Sequence, residues 1–229
     1  ARDLYQRSLA IRRRLDDRRA IGSLLSNLGI VARRQGDLES AHALYAESLS
    51  VRRALNDRWA IAVTLNNVGN LALDQGRTAE ARSCLEEAVS LQREVGDRWM
   101  TGNALNNLGN VARAQGDYEG ALALYGESLA IYRDLEDKWA LAYLFEDVAW
   151  MAALRGAGRC ALRLVGAAAV LREQIGAPLT PTETKKLDSA LEPARASLSE
   201  ADQAEALAEG REMTLEGAMD CAIGDAAHH

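Results

Sequence analysis

Proline, phenylalanine, histidine, cysteine and lysine are all scarce in this chain. Of 229 residues, three are proline, one is phenylalanine, three are cysteine and three are histidine, and aromatic side chains make up 5%. Alanine and leucine fill the space instead, which favours helix over sheet. The cysteines, Cys84, Cys160 and Cys221, are odd in number, widely spaced and without a C-x-x-C pair. That pattern argues against a disulfide framework and for small buried apolar side chains in a reducing, cytoplasmic setting. His42 is the one histidine before the terminal pair, and it has no second histidine or cysteine at ligand spacing, so no metal site is expected. The lysines are Lys138, Lys185 and Lys186, and none completes a phosphate-cradling G-x-x-x-x-G-K loop. No G-x-S-x-G elbow occurs. The paired acids Glu86-Glu87 and Glu146-Asp147 have neither a base nor a metal companion. No catalytic residue and no cofactor are therefore expected, and the chain does not read as an enzyme. No apolar run approaches the ~20 residues of a membrane helix, and the front shows no basic-then-apolar signal pattern.

What is present is a balanced, helix-prone composition. The chain is 48% hydrophobic and 26% charged, as folded domains are, with a formal net charge of −6. Charge is uneven: residues 1–58 sum to +5 and residues 177–229 to −7. The cluster Arg12, Arg13, Arg14, Arg18 and Arg19 either meets an anionic partner or forms a solvated face. Interspersed acids and the lack of a stacking pattern favour the solvated face, and no direct nucleic-acid contact is expected.

The dominant signal is repetition. Four gap-free units of 40 residues begin at Asp17, Asp57, Asp97 and Asp137, and the first and third are identical at 23 of 40 positions. Ser26-Asn27-Leu28-Gly29, Asn66-Asn67-Val68-Gly69 and Asn106-Asn107-Leu108-Gly109 are one phrase in three copies. A fixed period of this size marks a solenoid, in which each unit buries its apolar face against its neighbours.

Within the third unit, Asp97 suits an N-cap. Ala104, Leu105, Leu108, Val111 and Ala112 then recur at helical spacing. Gly116 suits a left-handed stop. Asp117 caps a second helix with Glu119 in its first turn. Small residues are expected to let the two helices approach: Gly29 with Ala41, Gly69 with Ala81, Gly109 with Ala121.

Leu28-Gly29 followed by Ala41 and Tyr45, and Leu108-Gly109 followed by Ala121 and Tyr125, resembles the tetratricopeptide repeat. That family's unit is usually 34 residues. Here six more lengthen the helices and links, and the usual closing proline is missing. Trp59, Trp99 and Trp139 mark the unit junctions and are expected to pack between repeats. The resemblance, covering about 1–176, implies an all-α fold: a right-handed α-solenoid of helix–turn–helix repeats. Residues 1–16 match a lone second helix, whose apolar face would pair with a missing first helix or with another copy of the chain. Residues 17–176 are four repeats, the last decayed, and 177–229 form a C-terminal helical cap with helices over 181–197, 200–209 and 214–222. Thr180-Pro181-Thr182-Glu183 has the form of a helix start. No function is assigned to His228-His229.

Leu164-Val165-Gly166-Ala167-Ala168 and Leu171-Arg172-Glu173, with the tail beyond, resemble the C-terminal repeat region of large bacterial signalling NTPases and transcriptional regulators. That resemblance implies the sensory arm of a larger regulator.

The tetratricopeptide resemblance also implies where a ligand would lie. First helices line a concave groove, and the positions around the repeat glycine face it. Here these are Ser26 and Asn27; Asn66, Asn67 and Asn70; Asn106, Asn107 and Asn110; then Glu146, Asp147 and Trp150, with Arg33 and Arg113 one turn on. Asn66/Asn70 and Asn106/Asn110 share a face at i, i+4. An asparagine amide grips both the C=O and the N–H of a peptide. Arg33 and Arg113 would meet a carboxylate, and Trp150 an apolar side chain. Asn27, Asn67 and Asn107 serve either this groove or the adjacent helices. The expected ligand is a protein or extended peptide. Self-assembly through the first helix and a small-molecule receptor are the alternatives.

Overall fold

The computed structural model describes residues 2–225, so the terminal histidine pair lies outside the described residues. They form α-helices and one π-helical turn, with no strand among them. The fold is an all-α solenoid of helix–turn–helix repeats.

Helix length is set by a left-handed residue at every twentieth position. Asp16, Gly36, Asn56, Gly76, Gly96, Gly116, Glu136, Gly156 and Gly176 all have φ between 50° and 83°. Glycine and asparagine take this conformation readily; Glu136 does so against its Cβ. In most copies an aspartate follows and caps the next helix. The side chains of Asp17, Asp37, Asp57, Asp97, Asp117 and Asp137 accept from backbone N–H groups three residues on, at 3.0–3.2 Å. Arg77 and Ala157 hold the equivalent position without a side-chain cap.

The chain divides after Val111 into two compact units. The first contains α1 (Arg2–Arg14), α2 (Arg18–Arg34), α3 (Leu38–Ala54), α4 (Arg58–Asp74) and α5 (Thr78–Val95), and α6 (Arg98–Ala114) begins in it. Successive helices pair by their apolar faces. The close approach at Gly29 and Gly69 is not to Ala41 and Ala81 but one turn further on. A Cβ at Gly29 would lie 2.5 Å from the buried Tyr45 ring, and one at Gly69 would lie 2.6 Å from Leu85. Buried polar groups tie the turns together. Ser48 Oγ donates to Gly22 O at 2.8 Å. Arg52, sunk between α3 and α4, donates to Ala60 O at 2.6 Å and to Thr64 Oγ1 at 2.7 Å. The junction tryptophans Trp59, Trp99 and Trp139 are each partly exposed. The Trp59 indole spans the junction by donating to Asp97 Oδ2 at 2.8 Å.

The second unit holds α7 (Tyr118–Asp134), α8 (Lys138–Leu154), α9 (Gly158–Ile175), α10 (Pro181–Ala196), α11 (Glu200–Glu212) and α12 (Leu215–Asp220), closed by the π-turn Cys221–Asp225. Its core centres on α8, where Phe145, Leu144, Val148 and Met151 are fully buried. The start of α10 is a complete capping box: Glu183 N–H donates to Thr180 Oγ1, and Thr180 N–H to Glu183 Oε2. Helix α11 crosses α9 backbone to backbone, through Gly166 and Gly210. A Cβ on Gly210 would fall 1.9 Å from Arg163 O. Ion pairs of Arg159 with Glu205 and Glu209, and of Arg211 with Glu173, flank the crossing.

Two glycine substitutions should therefore move stability in opposite directions. Gly210→Ala forces a methyl into backbone and should cost about 1–3 kcal/mol. Gly126→Ala, where a Cβ meets only Ile223 at 3.5 Å, should gain about 0.5–1 kcal/mol. Thermal unfolding followed by circular dichroism checks both. Equal Tm values for the two variants would show that the crossing at Gly210 does not need the missing side chain.

Candidate functional site

The residues singled out on the first helices fall into one set in each unit. In the first unit, Ser26 (α2), Asn66 and Asn67 (α4), and Asn106 and Asn107 (α6) come together as a line of polar side chains. The amides are largely spent on one another. Asn67 Nδ2 faces Ser26 Oγ at 3.4 Å. Asn107 Nδ2 donates to Asn66 Oδ1 at 3.0 Å, and Asn66 Nδ2 donates to Asn103 Oδ1 at 2.9 Å. Asn66 and Asn106 are buried. The amide chain thus knits α2, α4 and α6 side by side. Asn103 was absent from the sequence assignment, although its i, i+4 spacing to Asn107 places both on one helix face.

Other residues of the set remain outward. Asn27 is exposed and Asn70 and Asn110 are half-buried. Among the described residues nothing hydrogen-bonds to the amides of Asn27 and Asn70. Arg33 does not present an open fork, because its Nε holds Asp74 Oδ2 at 2.5 Å.

In the second unit, Arg113, Glu146, Asp147 and Trp150 form a different arrangement. The Arg113 guanidinium lies 3.6 Å over the Trp150 ring and donates to Asp147 O at 3.2 Å. A charged group stacked on an indole face in this way is held by the ring quadrupole. Lys186 of α10 also approaches the indole, at 5.8 Å. Glu146 points to α9, where Arg172 holds both its oxygens, at 2.6 and 2.8 Å. Burial pushes the Glu146 carboxyl above the usual carboxylate range, with the Arg172 guanidinium pulling against it. Arg172 is raised in turn by its hydrogen bond to Glu146, and the contact between them is bidentate. Arg172 also reaches Ala177 O, which fixes the exit from α9.

Helix α10 lies across this part of α8. Glu183, Lys186, Leu187 and Ala190 of α10 face Tyr143, Glu146, Asp147 and Trp150 over a gap of only about 50 Å³. Beyond it, a cleft of about 470 Å³ opens between Trp150 and Leu154 on one side and Thr182, Lys185, Lys186 and Pro193 on the other. Two of the chain's three lysines thus flank the indole. Nothing in the sequence placed them there, because α10 reaches α8 across a turn with no repeat register. Among the described residues, no cluster of histidine, cysteine or acidic side chains could hold a metal ion, and no helix is long and apolar enough to cross a membrane.

Removing one member of the buried pair should be worse than removing both. Glu146→Gln leaves Arg172 uncompensated and should cost about 3–5 kcal/mol, while Glu146→Leu with Arg172→Met should recover most of that. Urea unfolding of the two variants decides it. Equal losses would mean that the pair is no more than a surface contact.

The tetratricopeptide repeat family model matches residues 1–54 and 60–134. No curated protein matches the chain. Among solved structures, the crystal structure of BtubC (BKLC) from P. vanneervenii is similar, with a TM-score of 0.65 and 18% identity over 93% of this chain and 92% of that one. At that identity the likeness speaks for the fold alone. Tetratricopeptide repeats are non-catalytic scaffolds that generally mediate protein–protein interaction. With its matched residues spanning more than half its length, this chain belongs to the tetratricopeptide repeat family.

Proposed function

We propose that this chain is a protein- or peptide-binding repeat domain, the sensory or regulatory arm of a larger bacterial signalling or transcriptional regulator. The observation that carries the binding role is α10: the face of α8 where the family resemblance puts a ligand already accepts a helix of the same chain. The face that takes up Leu187 and Ala190 sets the rings of Tyr143 and Trp150 beside the acids Glu146 and Asp147, a mixed surface suited to an amphipathic partner segment. The four repeats 17–176 supply the face and 177–229 supply the resident cap.

The Asn ladder divides between two roles in this reading. Asn66, Asn67 and Asn107, with Asn103, set the spacing of the first helices. Asn27 and Asn70, together with Asn110, address the ligand backbone. Arg113 and Lys186 frame Trp150 as an anchor for a carboxylate-bearing apolar segment. Occupancy of the face by a partner in competition with α10 would shift the second unit between two arrangements, and that shift is the regulatory signal. The regulator role itself rests on the likeness of residues 164–179 to such proteins. In this reading the domain works in the cytoplasm, in keeping with its scarce, unpaired-in-sequence cysteines.

A displayed library of random peptides, panned on the domain and read by calorimetry, tests the proposal. Peptides that bind the first unit should lose about tenfold in affinity, roughly 1.4 kcal/mol, for Asn27→Ala/Asn70→Ala, and those that bind the second unit should lose as much for Trp150→Ala. Both variants should keep the native circular dichroism. Failure to enrich any peptide, or equal binding by both variants, would sink the groove assignment.

A second reading, self-association through α1, is favoured by Leu4 and Ile11 on that helix and Leu15 just past its end, which are 56–69% exposed. Sedimentation velocity should show a concentration-dependent dimer that Ile11→Asp abolishes. A monomer at every concentration removes this reading.

A further inference from the structure

The repeat pattern separates Cys160 and Cys221 by three helices and gives no reason to connect them. The second unit brings them together. Cys160 lies in the first turn of α9, and Cys221 opens the π-turn after α12. Their Sγ atoms are 3.1 Å apart, and Cys160 Sγ also donates to Cys221 O at 3.3 Å. Both side chains are buried, 6% and 4% exposed, in the core shared by α7, α8 and α9. Neither is in a disulfide. A disulfide needs its sulfurs at about 2.05 Å, so the remaining gap is about 1 Å, within reach of small side-chain rotations.

We propose that Cys160 and Cys221 are a redox modification site, forming an intramolecular disulfide that staples the C-terminal segment to α9. The oxidant is a low-molecular-weight disulfide. One cysteine thiolate attacks it, forming a mixed disulfide and releasing one small thiolate. The second cysteine then displaces the other small thiolate. One S–S bond forms in the protein and one breaks in the oxidant. The two protons lost by Cys160 and Cys221 end on the two released thiols, and the two electrons travel with them. Exchange of this kind runs through a thiolate and an accessible sulfur. Both sulfurs are buried, so exchange proceeds through a transient opening of the five-residue π-turn that Cys221 begins.

The staple has a structural consequence beyond stability. Met213, Thr214, Leu215 and Ala218 form one wall of a cavity of about 290 Å³, with Leu141 and Phe145 behind it. Pinning Cys221 to α9 fixes that wall. In the reduced protein the same wall depends on apolar contacts alone. Cys84 is the internal control: it sits on α5, half-buried, with its thiol pushed up by burial.

The test is equilibration of the whole chain in glutathione buffers of graded ratio, followed by acid quench, alkylation in denaturant and peptide mass spectrometry. The expected result is a single transition from three alkylated cysteines to one. It should be accompanied by a cross-linked peptide joining Cys160 to Cys221 and a Tm rise of about 5–15 °C. Cys160→Ser and Cys221→Ser should each abolish both changes, whereas Cys84→Ser should abolish neither. The site would be refuted by three alkylated cysteines at every ratio. It would equally be refuted if thiol loss were confined to mixed glutathione adducts or to dimers through Cys84. If either serine variant fails to fold, the Cys160–Cys221 cross-linked peptide of the native chain, present or absent across the glutathione ratios, decides.

Discussion

A left-handed residue at every twentieth position governs this molecule. Each such residue within the repeats ends one helix and turns the chain so that the next starts two residues later, in most copies on an aspartate cap. The helices between them are consequently of nearly equal length, about 17 residues. Equal length lets each apolar face be covered along its whole extent by its neighbours, with no overhang to protect. It also keeps the same side chain at the same height in every repeat. That constancy lets Asn66, Asn103 and Asn107 meet, and it lets Ser26 stand level with Asn67. The polar line on the first helices is therefore a by-product of helix length before it is anything functional.

The two units use polar groups to opposite ends. In the first, amides satisfy one another across three helices, and the amides of Asn27 and Asn70 stay outside that chain. Neutral amides suit this role, since each gives and receives without a charge to desolvate. In the second, the equivalent positions carry charge. Glu146 must then be matched, and Arg172 from the second helix of the same repeat matches it at two oxygens. A buried carboxylate without that partner would be costly. The substitution of Asn-Asn by Glu146-Asp147 is thus inseparable from an arginine at 172. Together they give the last repeat a face that accepts α10 where another repeat would otherwise follow.

Much of this was legible in the residues. The 40-residue period located the helices, the aspartates their starts and the glycines most of their ends. Thr180 and Glu183 announced α10. Asp16, Asn56 and Glu136 were harder, because only alignment with Gly96 marks them as left-handed. What the sequence hid are contacts between residues far apart in the chain, from 16 positions for Gly29 and Tyr45 to 61 for Cys160 and Cys221. Tyr45, not Ala41, meets Gly29, because the aromatic ring reaches further than the backbone approach that the small residues suggest. The Asn66 amide turns to Asn103 and Asn107, because the first helices lie close enough to satisfy it. Lys186 reaches Trp150, and Cys221 reaches Cys160, through a tail that breaks the period and so carries no register to read.

The gap-free repeat also bears on how such a chain can change over generations. One residue added inside a helix rotates everything beyond it by 100°, turning an apolar stripe away from its neighbour. Forty residues added or lost at any left-handed turn leave every stripe where it was. Whole repeats can therefore be gained or shed by recombination while each intermediate still folds, and single insertions are purged. The molecule is quantised in length, and its reach can evolve only in steps of one complete helix pair.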